Sequence, residues 1–513
     1  MADAVLGPPL ARGQNSHVAL MCGDRTVTYG ELDRAVNRAG NAFKKLGLTV
    51  GDRLLMLVND TPEFYFAHLG AIKIGAVPCA LNLRLAEADI AFIAKDSGAR
   101  FMVVGNEFLE FVRRALAKVD DAPTVIAADA PVPDAMFLAD LIADASPDLE
   151  SALRKPNDPA FWMYTSGTTG TPKAAIHCHR TVFMADSYLS EILGAGAEDR
   201  IFCSSKLFFA FALSHCYLSA LRLGATVILY PSWPSPEAVA ETVERFRPTI
   251  MLSVPTFYRN LLRAGLAEKP AFKQIRHYVS AGEKLPETIF ERWQAATGVP
   301  IKDGIGATET CFLFLANRGG EFRPGSCGVP VPGAEVKLVG DDGEEITEPN
   351  RPGILWVRTL SVAAGYWNMP DKTRAAFKNG WYRTGDMFER DADGWYWHAG
   401  RGDDMLKVSG QWVSPGEIED YVLRIPKVQD AAVVGVPNED GLTRLALFLV
   451  APEAKGCTED LENEIRDALT SNLSIYKCPR RMFFMEGLPM TATGKVQRYA
   501  LRQMVTDGSL PQR

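Results

Sequence analysis

The chain has 513 residues, 47% of them apolar, which is enough for more than one domain with its own hydrophobic core. Its formal charge is −7 at pH 7 and its lysines and arginines are scattered, so the composition excludes the basic surface typical of a nucleic-acid-binding protein. No apolar run approaches the ~18 residues that cross a membrane, and residues 1–14 lack the charged and apolar segments of a secretory signal. We therefore expect a cytoplasmic protein.

The cysteines support the same expectation. The nine cysteines include no C-x-x-C pair, which excludes the common zinc-site and disulfide-framework patterns and predicts reduced thiols. His177 and His179 flank Cys178, but no third ligand is nearby in the sequence. We interpret this His-x-His pair as structural.

Helical and strand patterns alternate from residue 28 onward. Apolar strands are predicted at residues 53–58 and 100–104, with a helix at 62–74 between them. Residues 120–158 are acidic and contain prolines, which predicts a solvated excursion. Such alternation is typical of layered α/β structure with parallel sheets, in which ligands bind at the carboxyl ends of the strands. The further predicted strands are residues 200–204, 225–230, 249–254 and 277–280.

After residue 336 the pattern changes to short strands and Gly/Asp turns, which predicts a β-rich subdomain. The polar segment 400–404 interrupts this pattern, and about one hundred residues of mixed helix and strand follow, within the usual size of a domain. We predict a large N-terminal domain over residues 1–402 and a small α+β C-terminal domain over residues 403–513.

The segment YTSGTTGTPK, residues 164–173, lies between two apolar runs and is predicted to be a loop between buried strands. Its glycines permit positive φ angles, so that successive backbone N–H groups can point into one concavity, and its hydroxyl groups and lysine add further donors. This combination is suited to a polyphosphate, and the alternative is a solvated Ser/Thr/Gly turn. The candidate phosphate-binding residues are Thr165, Ser166, Gly167, Thr168, Thr169 and Lys173.

Spacing excludes two other phosphate-binding motifs. A Walker loop requires G-x-x-x-x-G-K-[ST], but the position five residues after Gly167 is Pro172, and residues 489–496 do not match either. A dinucleotide fingerprint requires G-x-G-x-x-G, but Glu309 takes the place of the third glycine in the sequence GIGATE. A Rossmann dehydrogenase is therefore not expected.

Five motifs stand in a fixed order along the chain. They are YTSGTTGTPK (164–173), DGIGATET (303–310), YRTGD (382–386), GRGDDMLKVSGQWVSPGEIE (400–419) and PMTATGK (489–495). In order and approximate spacing they resemble the adenylate-forming superfamily, which contains acyl-CoA synthetases, peptide-synthetase adenylation domains and luciferases. KLFFAFALSH at 206–215 and SAGEKLP at 280–286 are most similar to the benzoate-CoA ligase branch.

The resemblance implies an ATP-dependent aryl-CoA ligase, that is, an acid–thiol ligase of the benzoate- or 4-coumarate-CoA ligase type. Such an enzyme converts an aromatic acid such as benzoate, a hydroxybenzoate or a hydroxycinnamate to an acyl-AMP and then to a CoA thioester, releasing pyrophosphate and AMP. It implies ATP, Mg²⁺ and coenzyme A, a small mobile C-terminal domain, and a monomer or homodimer. The alternatives are a synthetase for an alicyclic or medium-chain acid and a ligase that loads a carrier protein.

The resemblance also implies nucleotide-binding residues. Thr308 resembles a threonine that bonds a phosphate oxygen, and Glu309 resembles a glutamate that helps to hold Mg²⁺. Asp386 is similar to an aspartate that accepts hydrogen bonds from the ribose hydroxyls, and Arg401 to an arginine that contacts the nucleotide. The residues expected on the adenine side are Ser280, Ala281, Gly282, Glu283, Asp303 and Gly304.

Lys495 resembles the lysine that bridges the acyl carboxylate and the α-phosphate during adenylation, and the alternative is an ordinary surface lysine after a Thr-Gly turn. Asp403 matches the hinge about which the small domain pivots in the superfamily. Because the two half-reactions need different groups at one site, the pivot is expected to withdraw Lys495 and to present Gly410, where the pantetheine arm passes close to the backbone.

Residue type and resemblance together predict the acyl pocket. Aromatic and small side chains leave a flat apolar slot, and residues 209–211 offer no charge to pair with the ammonium group of an amino acid. Phe312 stands where many benzoate-type enzymes carry a histidine, which favours a substituted or longer aryl acid over benzoate itself. The candidate lining residues are Phe209, Ala210, Phe211, Ile305, Gly306, Ala307 and Phe312.

Overall fold

Two units make up the chain. The first is Met1–Lys337 together with Trp356–Thr384, and the second is Leu338–Leu355 together with Gly385–Arg513. The predicted division of the chain between residues 402 and 403 stays a prediction. The structure is a computed structural model that describes residues 1–166, 172–318, 323–340, 342–401, 406–408, 411–437, 443–452, 458–490 and 496–509.

Helices and strands alternate through most of the described chain. The helices are α1 (Ala2–Ala11), α2 (Tyr29–Lys45), α3 (Pro62–Lys73), α4 (Glu87–Ser97), α5 (Leu109–Leu116), α6 (Leu138–Ala143), α7 (Ala210–Ala212), α8 (Ala220–Leu223), α9 (Pro236–Phe246), α10 (Pro255–Arg263), α11 (Glu287–Thr297), α12 (Pro370–Ala376), α13 (Pro415–Val422), α14 (Thr458–Asn472) and α15 (Arg498–Thr506). The strands are β1 (Val18–Cys22), β2 (Arg25–Thr28), β3 (Arg53–Leu57), β4 (Val77–Ala80), β5 (Phe101–Val104), β6 (Thr124–Ala127), β7 (Met136–Phe137), β8 (Pro159–Ser166), β9 (Pro172–Cys178), β10 (Arg200–Cys203), β11 (Thr226–Leu229), β12 (Ile250–Ser253), β13 (His277–Ser280), β14 (Ile301–Gly306), β15 (Leu313–Ala316), β16 (Val329–Pro330), β17 (Glu335–Val339), β18 (Glu345–Ile346), β19 (Gly353–Arg358), β20 (Phe377–Lys378), β21 (Trp381–Arg390), β22 (Tyr396–Arg401), β23 (Leu406–Val408), β24 (Gln411–Val413), β25 (Asp430–Pro437), β26 (Thr443–Val450) and β27 (Arg481–Phe484).

The larger sheet of the first unit has the strand order β16-β15-β14-β13-β12-β10-β11-β1-β2. Its inner strands, from β14 to β1, are parallel, while β2, β15 and β16 pair antiparallel at the two edges. Every residue of β11 and β12 is buried, as expected for parallel strands that are covered on both faces. The carboxyl ends of β10, β12, β13 and β14 therefore meet at one edge of this sheet.

The smaller sheet of the first unit has the order β7-β6-β5-β3-β4-β8-β9, and only β9 runs antiparallel to its neighbour among these strands. The prediction that residues 120–158 are a solvated excursion is wrong at β6, because Ile126 and Ala127 pair with β5 and are fully buried. The apolar run is only a few residues long and has polar and proline-rich neighbours, so its own sequence does not distinguish it from a loop.

Local signals explain where several helices begin. Thr28 and Glu31 form a capping box at the start of α2, in which each side chain bonds the backbone N–H of the other residue. Ser235 caps α9 by accepting a hydrogen bond from Ala238. The strands predicted at residues 53–58, 100–104, 200–204, 225–230, 249–254 and 277–280 and the helix predicted at 62–74 are all present, with bounds that differ by at most one residue at each end.

The second unit contains a three-stranded sheet with the order β25-β26-β27. Successive residues of β25 and β26 point to opposite faces, and both faces are buried. Val433 and Leu447 pack in one apolar cluster with α13 and α14, while Val434 and Phe448 pack in another with Leu501 of α15. The predicted α/β fold class, with layered sheets, short strands after residue 336 and a C-terminal α+β part, is confirmed. Among the described residues, no helix is long and apolar enough to cross a membrane.

We predict that Gly328→Ala destabilises the first unit far more than Gly298→Ala does. Both glycines have positive φ angles, +89° and +79°, so alanine costs about 1–2 kcal/mol at either position. At Gly328 a Cβ atom would also lie 2.0 Å from the backbone of Ala316, whereas at Gly298 it would meet no atom within 4 Å. Urea unfolding of both variants measures the difference, and equal midpoints would contradict the prediction.

Candidate active site

The predicted phosphate loop connects the two strands of an antiparallel hairpin at the edge of the smaller sheet. Thr165 at the end of β8 pairs with Lys173 at the start of β9. Gly167, Thr168 and Thr169 lie outside the described residues, and for Ser166 the description covers only the backbone. The predicted loop over residues 164–173 is therefore too long at both ends, because residues 164–166 belong to β8 and residues 172–173 to β9, where strand pairing holds them.

Lys173 contacts two side chains from distant parts of the sequence. Its Nζ donates to Glu309 Oε1 at 3.1 Å and to the Tyr366 hydroxyl at 2.8 Å. The Tyr366 hydroxyl in turn donates to Glu309 Oε1 at 2.6 Å. We call Lys173, Glu309 and Tyr366 the phosphate-side cluster, because Lys173 and Glu309 are the residues predicted to face the phosphates and their metal.

Backbone hydrogen bonds hold this cluster together. The segment 363–367, which carries Tyr366, runs along the open edge of β9, where Ala364 N donates to Ile176 O and Trp367 N to Ala174 O. The same segment reaches Glu309, because Ala363 N donates to the Glu309 carbonyl at 2.8 Å. Three separate parts of the chain are thus joined at one point.

Glu309 is only 6% exposed, and burial by itself would raise the pKa of its carboxyl group. The nearby Lys173 ammonium and the Tyr366 hydroxyl outweigh burial, so the pKa of Glu309 lies below its ordinary value. An ionised carboxylate beside a predicted phosphate site fits Mg²⁺, which commonly binds one or two carboxylates together with substrate phosphates. Among the described residues, no group of three or more His, Cys, Asp or Glu side chains is placed to hold a metal.

The His-x-His pair after the loop supports the backbone of the site. His177 is fully buried, its Nε2 lies 2.8 Å from the carbonyl oxygen of Thr308, and its ring stacks on Phe161 with centroids 4.9 Å apart. Burial lowers the pKa of His177 to about 4, so the ring is neutral near pH 7. His177 therefore fixes the position of Thr308, in agreement with the structural interpretation.

A row of polar residues crosses the carboxyl ends of the parallel strands in the larger sheet. Ser253, Ser280 and Asp303 occupy paired positions on β12, β13 and β14, and Ser204 Oγ lies 2.5 Å from Ser253 Oγ. All four side chains are buried. The predicted adenine-side residues Ser280 and Asp303 are thus neighbours, as the parallel register requires.

Asp303 is the exceptional member of this row. Its Oδ1 and the Oγ of Ser280 are buried and have no hydrogen-bond partner among the described residues. Burial raises the pKa of Asp303 to about 8, so near pH 7 the side chain carries a proton that it can donate. Contact between these two side chains and the base of a nucleotide stays a prediction.

Residues 281–283, in the loop after β13, differ in their exposure and in their contacts. Ala281 is buried, whereas Gly282 is exposed with φ near +89°. The Glu283 carboxylate accepts hydrogen bonds from the backbone N–H and the hydroxyl of Thr256, at 3.1 and 2.7 Å, in the first turn of α10. Glu283 thus anchors the loop to α10, and contact between Glu283 and the nucleotide stays a prediction.

The predicted acyl-pocket residues come from two segments of the first unit. Phe209, Ala210 and Phe211 are half-buried at the start of α7, and Ile305, Gly306 and Ala307 are half-buried at the end of β14. Phe312 is 2% exposed and follows them in the chain. The rings of Phe211 and Phe312 both contact His215, at centroid distances of 5.4 and 5.8 Å. The two predicted walls therefore meet at His215.

The sequence does not indicate three residues of the candidate site, namely Tyr366 in the phosphate-side cluster and Tyr188 and His215 beside the predicted acyl pocket. Tyr366 belongs to the segment AAGYWN, which is outside the five motifs, and Tyr188 lies in a stretch without a distinctive pattern. His215 ends the motif KLFFAFALSH, and an ionisable residue four positions after Phe211 in an apolar segment was an available signal. Tyr188 and His215 are buried and contact each other edge to face at 5.7 Å.

The second unit contains the remaining predicted site residues. Asp386 of β21 pairs in register with Arg401 of β22, and its Oδ1 lies 3.6 Å from His398 Nε2. The Arg401 side chain, Asp403, Gly410 and Lys495 lie outside the described residues.

The chain on either side of residues 491–495 is held firmly. Met490 and Val496 form an antiparallel bridge, and Arg498 makes a two-point ion pair with Glu419 at 2.5 and 2.9 Å. Arg498 also donates to the carbonyl oxygen of Val433 at 2.7 Å. The segment that carries Lys495 therefore begins and ends at fixed points of the second unit.

Family models match both parts of the chain. Residues 10–367 match AMP-binding enzymes, and residues 417–495 match the AMP-binding enzyme C-terminal domain. The chain belongs to the AMP-binding enzyme family. The predicted membership of the adenylate-forming superfamily is confirmed, and it implies ATP and coenzyme A as substrates.

This AMP-binding enzyme is similar to curated aryl-CoA ligases along nearly its whole length. It is 48% identical over 509 residues, 99% of this chain and 97% of the relative, to the 3-hydroxybenzoate–CoA ligase of Aromatoleum sp. (strain CIB). It is 48% identical over 506 residues, 98% of this chain and 97% of the relative, to the 3-hydroxybenzoate–CoA/4-hydroxybenzoate–CoA ligase of Thauera aromatica. The benzoate CoA ligase structure from Burkholderia xenovorans LB400 has a TM-score of 0.88 and 34% identity, covering 98% of this chain and 99% of that one. The predicted aryl-CoA class of acid–thiol ligase is confirmed.

Asp303 generates a pH-dependent prediction for this AMP-binding enzyme without nucleotide. In the unfolded chain Asp303 ionises near its ordinary value of 3.8, whereas in the folded chain it keeps its proton up to about pH 8. Below pH 4 both states are protonated, so Asp303 does not reduce the free energy of unfolding. Between pH 4 and pH 8 only the unfolded chain loses the proton, so the free energy of unfolding falls as the pH rises. Asp303→Asn cannot ionise, so its urea midpoint should rise relative to wild type between pH 5 and pH 8.

A surface variant provides the control. Asp371 is 90% exposed, and Asp371→Asn should follow the wild-type pH profile. Parallel profiles for wild type and Asp303→Asn would show that the buried carboxyl group ionises normally.

Proposed function

We propose that this protein is a 3-hydroxybenzoate–CoA ligase, which activates its acid with ATP as 3-hydroxybenzoyl-AMP and transfers the acyl group to coenzyme A. The observation that carries this proposal is the 48% identity, over 99% of the chain, to a ligase named for that acid. The clustering of Phe211, Phe312 and His215 supports it, because an aromatic slot with a polar side chain suits a hydroxylated ring.

In the first half-reaction the carboxylate oxygen attacks the α-phosphorus of ATP and pyrophosphate leaves. We assign charge stabilisation to Lys173, Thr308 and Lys495, since negative charge is redistributed over the phosphate oxygens during this step. Glu309 would hold Mg²⁺, which when bound neutralises negative charge on the phosphates. The contact of Lys173 with Glu309 supports this assignment, because it brings a cation and a carboxylate within 3.1 Å of each other.

In the second half-reaction the CoA sulfur attacks the acyl carbon and AMP leaves. We assign the adenine to Ser280 and Asp303, the ribose to Asp386, and the pantetheine arm to Gly410. The small domain is proposed to begin at Asp403 and to rotate about this residue. The rotation would withdraw Lys495 after adenylation and bring Gly410 to the site for transfer to CoA. Arg401 is proposed to contact the nucleotide. The enzyme is proposed to act as a monomer or homodimer.

We predict that wild type releases pyrophosphate fastest with 3-hydroxybenzoate among acetate, octanoate, benzoate, 3-hydroxybenzoate, 4-hydroxybenzoate and 4-coumarate. Burial of an aromatic ring at ~25 cal/mol per Å² favours the aryl acids over acetate by a few kcal/mol. The measurement is kcat/KM for pyrophosphate release with and without CoA, with thioester formation followed in parallel. A preference for 4-hydroxybenzoate would reassign the acid, and a preference for octanoate would overturn the proposed substrate class. Adenylation without transfer to CoA would favour a carrier protein as acceptor.

A second prediction concerns Lys495. Lys495→Ala should reduce adenylation by ~10²-fold or more, while conversion of supplied 3-hydroxybenzoyl-AMP and CoA to the thioester is much less affected. The matched control is Lys427→Ala, since Lys427 lies in the same unit with a side chain 52% exposed and paired with Glu464. Equal loss in both half-reactions would contradict the adenylation role of Lys495.

A further inference from the structure

Two buried polar atoms lie without partners inside an aromatic cluster of the first unit. The atoms are His215 Nε2 and the Tyr188 hydroxyl, and neither has a hydrogen-bond partner among the described residues. His215 is fully buried and Tyr188 is 1% exposed. Around His215 stand the rings of Tyr188, Phe211 and Phe312, all edge to face at 5.4 to 5.8 Å. The cluster thus includes one residue from each predicted wall of the acyl pocket.

The other nitrogen of His215 determines what Nε2 can do. Nδ1 lies 3.0 Å from the carbonyl oxygen of Phe211, which can only accept, so the ring proton is assigned to Nδ1. Ser214 Oγ directs its only proton to the same carbonyl at 3.3 Å, so at 2.7 Å from Nδ1 its oxygen accepts a hydrogen bond from the Nδ1 proton. Burial lowers the pKa of His215 to about 4, so the ring is neutral near pH 7. Nε2 therefore presents a lone pair and accepts a hydrogen bond.

Tyr188 provides the complementary group. Burial raises the pKa of Tyr188 above its ordinary value, so the hydroxyl keeps its proton and can donate it. A buried polar group without a partner is destabilising, and this cluster contains two of them. Such a pair is expected where a ligand supplies the missing partners.

We propose that His215 and Tyr188 recognise the ring hydroxyl of the aryl acid and set the preference for a hydroxybenzoate over benzoate. The substrate hydroxyl donates to His215 Nε2, and its oxygen accepts from Tyr188. This inference rests on the proposed function and names the residues that read the substituent of the same substrate.

The chemistry of the pair distinguishes between substituents. A hydroxyl group both donates and accepts, so it satisfies Nε2 and the Tyr188 hydroxyl together. Benzoate or a medium-chain acid would leave both atoms unpaired, and a halogen would place its electron density against the Nε2 lone pair. Sites built to bond a substrate hydroxyl reject the analogue without it strongly, because their own polar groups then stay unsatisfied.

The test compares 3-hydroxybenzoate with benzoate in wild type, His215→Leu and Tyr188→Phe. Tyr188→Phe removes the hydroxyl and His215→Leu removes both ring nitrogens, Nε2 among them. Each substitution should lower kcat/KM for 3-hydroxybenzoate by about 10- to 100-fold, with the loss mainly in KM. The value for benzoate should stay within a few-fold of wild type or rise. Tyr188→Phe removes a single oxygen atom, so it gives a result even if His215→Leu folds poorly.

Tyr258→Phe is the matched control. Tyr258 is also a buried tyrosine of the first unit, but its hydroxyl donates within the fold to the carbonyls of Met251 and Val279, at 3.2 and 2.9 Å. Any effect of this substitution should be equal for the two acids. Equal losses for both acids in Tyr188→Phe and His215→Leu, or no loss in either variant, would overturn the inference while the proposed function stands. A wild type that makes no thioester from 3-hydroxybenzoate would overturn both.

Discussion

A buried carboxylate at Glu309 constrains the arrangement of the first unit. A charge with 6% exposure is tolerable only when it is paired, and here Lys173 and Tyr366 share one oxygen of the carboxylate. Each member of this cluster comes from a different part of the chain, so β9, the turn Thr308–Thr310 after β14 and the segment 363–367 must meet for the charge to be stabilised. Lys173 and Glu309 are also a cation and a carboxylate of the kinds that bind the phosphates of a nucleoside triphosphate and its metal ion.

The parallel strands of the larger sheet provide the second constraint. Their carboxyl ends align Ser253, Ser280 and Asp303 across three neighbouring strands, and burial keeps Asp303 protonated near pH 7. Ser280 Oγ, Asp303 Oδ1, the Tyr188 hydroxyl and His215 Nε2 are buried without partners among the described residues. Such atoms reduce stability, and these four lie in the regions assigned to adenine and to the aryl ring.

In the proposed assignment, shared chemistry and substrate choice depend on different residues. The phosphate-side cluster and the polar row are proposed to serve the adenylation of any acid. The aromatic side chains around His215 are those of Phe211, Phe312 and Tyr188, and Tyr188 also interacts electrostatically with Asp303, which helps to raise the Tyr188 pKa. Apart from this interaction the two sets of residues differ, which allows an AMP-binding enzyme to change its acid without changing its reaction.

The sequence by itself determined the fold class and the strands around residues 200–280, because apolar periodicity is a local property. It also indicated Lys173 and Glu309, since their motifs stand in a known order. Only the tertiary structure decided that β6 belongs to the smaller sheet, that Tyr366 joins Lys173 to Glu309, and that His215 and Tyr188 share one cluster. These facts depend on contacts between residues far apart in the chain, where no local pattern records which side chains meet or which polar atoms are left without a partner.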